Sequence, residues 1–229
     1  MDVRKMMGRL NPAGMRYEMG GSGGVPMLTQ ADIAGALGMV RDDFAREVFC
    51  AVWWPDGAKL TAKELDAKIR ERQLGEWMRR ARLVEAAKLA MHLAEEEAEG
   101  SHAAIQGVQR ALSRARAELT EARAVMWPSY GPRYALIRVA VLTELASPQT
   151  CRHCAGRGSH RTDALVVTCH HCGGTGRKAA SERSRADAVK VGKTGFRHWE
   201  GVYDWTLQLC ASAERDAAKA LKTQLKMVA

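Results

Sequence analysis

No stretch of this 229-residue sequence approaches the roughly 18 consecutive apolar residues of a membrane span, although 46% of its residues are hydrophobic. The opening MDVRKMMGRLNPAGM also lacks the apolar h-region of a secretory signal, so the protein is expected in the cytoplasm. Cysteine is sparse: of six, only Cys50 and Cys210 lie outside one short stretch. Both sit in apolar helical contexts and read as small buried hydrophobes rather than a disulfide. No carboxylate pair is placed for general acid–base work. Glu118 and Glu121, beside Arg114 and Arg123, read as a solvated helix face whose ion pairs contribute little each, and an enzyme is not expected.

What is present concentrates between Cys151 and Gly176, CRHCAGRGSHRTDALVVTCHHCGGTG. A C-x-x-C-x-G-x-G pattern occurs there twice, as Cys151/Cys154 with Gly156 and Gly158, then Cys169/Cys172 with Gly174 and Gly176. A C-x-x-C turn sets two thiolates on one side of a tight knuckle, so each knuckle supplies half of a tetrahedral zinc site. Glycine after a knuckle permits positive φ or close backbone approach to sulfur. Between the knuckles, Leu165-Val166-Val167-Thr168 reads as a short hairpin strand. One structural Zn2+ bound by Cys151, Cys154, Cys169 and Cys172 is the expectation. Redox chemistry by a single C-x-x-C is the alternative, but it needs one pair and this chain has two. Four thiolates close a tetrahedron, so His153, His170 and His171 are expected to point outward and the metal to serve folding rather than catalysis.

Charge is placed unevenly. The formal net charge is +9, which by itself indicates only attraction to polyanions. From Arg152 to Arg197, ten basic residues face only Asp163, Glu182 and Asp187, so the cationic surface coincides with the cysteine module.

Along the chain, residues 1–28 are rich in Gly, Met and Pro without periodicity and read as a flexible leader. A helical bundle is expected over 29–147. Its helices follow a Thr29-x-x-Asp32 capping box, then run from Asp42 to Trp53, from a second capping box at Thr61-x-x-Glu64 to about Glu97, from His102 to Met126, and from Pro132 to about Ala146. A zinc-binding module occupies 148–178. Over 179–229 a helix from Ala179 to Val191, a break at Gly192–Gly195 and a last helix from Phe196 to Lys226 packing on the bundle make a basic helix-turn-helix-like segment. An ordinary helical hairpin would share that pattern. Charge around the turn favours a DNA reader, with Arg157, Arg161, Arg177, Lys178, Arg183, Arg185, Lys190, Lys193, Thr194 and Arg197 as candidate contacts. The fold class is thus mainly α: a helical bundle with an inserted four-cysteine zinc ribbon and a helix-turn-helix-like C-terminal region.

Nearly the whole chain resembles the Q antitermination proteins of lambda-like phages. The likeness is carried by DIAGALGM at 32–39 running into FAREVFCAVW, by YALIRVAVLTELA, by CRHCAGRG and CHHCGGTG, and by SRADAV with FRHWEGVYDWTLQLC. The stretch from Glu95 to about Met126 is longer than that pattern. The resemblance implies a phage or prophage late-gene regulator that binds DNA overlapping the late promoter and joins paused RNA polymerase through its sigma subunit and beta flap. It also implies zinc-ligand roles for the four knuckle cysteines and a DNA-binding role for the basic segment. C-x-x-C-x-G-x-G is equally the repeat of DnaJ-type chaperones, so a co-chaperone or client-binding module is the alternative. That family carries four such repeats and a His-Pro-Asp tripeptide, and this chain has two repeats and no such tripeptide.

Overall fold

The computed structural model describes residues 3–4, 30–100, 105–146, 151, 153–154, 159–161, 165–174, 176, 178 and 180–228. Among these the chain is mainly helical, with seven α-helices: α1 (Gln30–Gly38), α2 (Asp43–Trp53), α3 (Ala62–Gly100), α4 (Ile105–Ala124), α5 (Arg133–Ala146), α6 (Glu182–Ala188) and α7 (Lys193–Val228). Two short strands, β1 (Ser159–Arg161) and β2 (Val166–Thr168), pair antiparallel with Ser159 opposite Thr168.

Local chemistry sets these boundaries. Asp42 caps α2 by accepting from the Ala45 amide at 3.0 Å. At the start of α3 the Thr61 amide donates to Glu64 at 2.8 Å and the Glu64 amide donates back to Thr61 Oγ1 at 3.3 Å, the reciprocal pair of a capping box. Thr29, the first residue of the other expected box, lies outside the described residues. Between α2 and α3, a Cβ on Gly57 would fall 2.0 Å from the Trp54 ring, so that turn closes only around glycine.

The core runs through α1, α2, α5 and α7. Phe49, Tyr134, Ile137, Tyr203, Leu221 and Leu225 are fully buried within it. α7 packs along α1, α2, α5 and α6 and so forms the spine of the molecule. Buried polar groups tie the helices in register. Arg138 on α5 donates to both carboxylate oxygens of Asp66 and to Gln73 on α3, and Gln73 donates to Thr206 on α7 at 2.8 Å. Cys50 and Cys210 are fully buried, and burial pushes each thiol up to about 12, consistent with inert packing residues. Of the expected leader, only Val3 and Arg4 are described. Val3 is buried in the core and Arg4 forms a two-toothed ion pair with Glu214, so this pair is docked on α7.

α3 and α4 form a long hairpin. Trp77, Ala81, Val84, Ala87, Met91, Ala94 and Ala98 are the half-buried apolar positions of α3, and Val108, Leu112, Ala115, Leu119 and Ala122 are the covered ones of α4. Both sets step by three and four residues, the repeat of a coiled-coil seam.

Candidate metal centre and its basic flank

After α5 the chain enters the cysteine module, and the Cys151 amide donates to the Gly176 carbonyl at 2.8 Å, tying its two ends together. The β1–β2 pairing turns the chain back so that Cys169 follows the hairpin directly. The register brings the two knuckles face to face. Cys151 Sγ lies 4.0 Å from Cys169 Sγ, Cys154 Sγ lies 3.7 Å from Cys172 Sγ, and all four sulfurs fall within 4.8 Å of one another.

These distances fit a metal. A tetrahedron with Zn–S bonds of about 2.3 Å requires sulfurs separated by about 3.8 Å. Cys151, Cys154 and Cys169 are buried, and Cys172 is half-buried. Burial holds the Cys169 thiol up at about 11. Burial also opposes ionisation of Cys172, but the Gly176 and Gly174 amides and the neighbouring thiols overcome it and bring that group down to about 7. The Gly176 N–H donates to Cys172 Sγ at 3.3 Å. Gly174 and Gly176 have φ of 85° and 72°, the left-handed backbone their spacing implied, and Gly173 joins them at 56°. Gly156 and Gly158 lie outside the described residues. His153, His170 and His171 are exposed; His153 stacks on His171 with 3.3 Å between ring centroids, and His170 lies tilted against His171 at 4.2 Å. Four sulfurs are therefore the candidate ligand set, and any divalent metal that accepts a closed thiolate tetrahedron matches it.

Glu144, in the last turn of α5, joins this module to the helices beyond it. It accepts from the Ala180 amide at 3.2 Å, from Arg185 at 2.7 and 2.9 Å, and from the Tyr203 hydroxyl at 2.7 Å. Burial would raise its carboxyl, yet the Arg185 and Tyr203 hydrogen bonds hold it below the usual carboxylate range. Glu144 thus fixes the exit of the cysteine module, α6 and α7 to one point. Its signal in the sequence was the single carboxylate of a mostly apolar helix.

The α6–α7 junction differs in detail from the expected boundaries. The Ser181 hydroxyl accepts from the Ser184 amide at 3.2 Å, so α6 starts at Glu182 rather than Ala179. It stops at Ala188 because Lys190 adopts φ 59°, and the Val191 and Lys190 amides turn back to the Ala186 and Asp187 carbonyls at 3.0 and 3.1 Å. α7 then starts at Lys193, placing Lys193 and Thr194 in its first turn, where the expected break would have left them in a loop.

The candidate DNA-contact residues separate into groups. Arg183, Lys190, Lys193, Thr194 and Arg197 are exposed around the α6–α7 turn, and Lys178 is exposed near the knuckles. Arg161 lies on β1. Arg157 and Arg177 lie outside the described residues. Arg185 is directed inward: its side chain is 16% exposed, with its guanidinium on Glu144 and Asp204 and over the Tyr203 ring. No helix among the described residues is long and apolar enough to cross a membrane. No family model, curated protein or solved structure matches the chain.

Proposed function

We propose that the chain is a late-gene transcription antitermination factor of the Q type, which binds double-stranded DNA at a late promoter and joins paused bacterial RNA polymerase to suppress pausing and termination. The single observation that carries this reading is the juxtaposition of a four-sulfur cluster with an exposed basic helix pair, linked through Glu144. The sequence resemblance supplies the regulatory role, and polymerase contact through sigma and the beta flap is part of that proposal.

On this reading Cys151, Cys154, Cys169 and Cys172 would hold one structural Zn2+, which contributes folding energy and no reaction. The strand pair and knuckles form a zinc ribbon inserted between α5 and α6, and α6, the turn and α7 form a helix-turn-helix-like reader. Glu144 transmits the ribbon's position to α6, because the Ala180 amide and the Arg185 side chain share its carboxylate. Arg185 then serves to position the reader, while Arg183, Lys190, Lys193 and Arg197 face phosphate. Each neutralised phosphate contributes about 0.9 to the slope of log K against log salt, so contacts by these four side chains give a slope of roughly −4.

The test pairs fluorescence-anisotropy titrations on a late-promoter fragment and on shuffled DNA, over a salt series, with in vitro transcription through a terminator. Tighter binding to the promoter fragment with a steep salt slope, together with terminator readthrough, is expected. Equal affinity for both DNAs and no readthrough would refute the proposal.

A further inference from the structure

α3 carries a second seam that α4 does not cover. About a third of a turn from the α4-facing positions, at about 100° per residue, lie Arg79, Leu83, Ala86, Ala90, Leu93 and Glu97. All six are exposed, Leu83 by 45% and Leu93 by 55%. They step alternately by four and three residues, the repeat of a coiled-coil contact line.

This seam reads the same in both directions by residue class. A charge stands at each end, a leucine inside each charge, and two alanines at the middle. A two-fold axis demands that property, since residue i of one copy must meet residue j of the other and j must meet i. Laid antiparallel on a second copy, Leu83 meets Leu93, Ala86 meets Ala90, and Arg79 meets Glu97. The flanking positions agree. Arg82 of one copy falls beside Glu96 of the other, and Leu89, 60% exposed, falls beside Leu89 at the axis.

Charge also selects the direction. Arg79 and Arg82 stand near the middle of α3 and Glu96 and Glu97 near its far end. Parallel pairing would set like against like, whereas antiparallel pairing sets each cluster against its opposite. Within one chain Arg79 binds Glu76 through Nε and Nη2 at 2.7 and 2.6 Å, which leaves Nη1 to reach Glu97 of the other copy.

We propose that the chain self-associates through this face of α3, as an antiparallel two-fold dimer with Leu83–Leu93 and Ala86–Ala90 layers closed at each end by an Arg79–Glu97 ion pair. This inference is independent of the DNA reading, because its test measures mass.

Sedimentation equilibrium of the full chain over a concentration series into the high micromolar range is expected to reveal a monomer–dimer equilibrium. Arg79→Glu alone and Glu97→Arg alone each make two like-charge contacts per dimer and weaken association about tenfold, while the double reversal restores it. Leu83→Glu gives monomer throughout, with far-UV circular dichroism unchanged because the side chain is exposed. A wild-type chain that stays monomeric across the series, a dimer that survives Leu83→Glu, or a double reversal no tighter than either single change would overturn the proposal.

Discussion

Among the described residues, the cysteine module and the helical core bury very different amounts of material. The helices share one apolar cluster reaching from Ile33 on α1 to Leu225 on α7, with Phe49, Tyr134 and Tyr203 fully enclosed. The module's own cluster is Cys151, Cys154 and Cys169 with Cys172 against them, and the neighbouring Leu165 and the β2 residues Val166 and Val167 remain exposed. An apolar cluster of the first kind orders its helices by removing surface from water. One of the second kind is too small to do so, and on the proposed reading its order would depend on bonds to a metal. The two regions should therefore fail separately.

The largest expected effect comes from attacking the module. If the proposed site holds zinc, replacing Cys169 by Ser removes one of four candidate sulfur ligands and should release the metal, which a chromogenic chelator measures, while helicity by circular dichroism stays near wild type. Zinc retained at one equivalent would deny the four-thiolate site. Attacking the core should give the opposite result. Phe49→Ala is expected to cost about 3–5 kcal/mol in urea unfolding, with zinc stoichiometry unchanged under folding conditions.

The junction between the regions gives a smaller effect with a pH signature. Glu144→Gln weakens charge-assisted hydrogen bonds to Arg185 and Tyr203, an expected loss of about 2 kcal/mol near neutral pH. The wild-type carboxyl is held below its ordinary 4.5 in the folded state, so its stabilisation is present above that value and fades as pH falls through the lower folded one. Melting curves of the two proteins should therefore converge in acid, and a gap independent of pH would show that the charge is not what matters.

The smallest effect separates stability from binding. Lys190 holds φ 59°, a conformation glycine adopts without strain, so Lys190→Gly should stabilise the fold by about 0.5–1 kcal/mol. On the proposed reading the same change lowers the salt slope of DNA binding by about one. A variant that is more stable and binds with an unchanged slope would remove Lys190 from the DNA face.

Patterns confined to neighbouring residues were legible in the sequence. The Thr61–Glu64 capping box, the apolar stripes of α3 and α4 and the paired knuckles each specify geometry over a few residues, and the structure has them in place. What was not legible depends on partners far along the chain. The reach from Glu144 to Arg185 and Tyr203, and the Arg138–Gln73–Thr206 relay, join helices whose packing no local pattern reveals. The α6 stop at Lys190 escaped for a different reason, since lysine is not the residue that signals a left-handed turn.

The central claim is that sulfur-bound metal holds the α6–α7 pair in a DNA-competent position while the helical core stands without it. It is tested most directly by measuring promoter-fragment affinity of the same full-length sample before chelation, after chelation and after zinc is restored, with circular dichroism recorded at each step. The account predicts nearly constant helicity, a marked loss of promoter affinity on chelation and recovery on adding zinc. Undiminished promoter binding by the metal-free chain would contradict it.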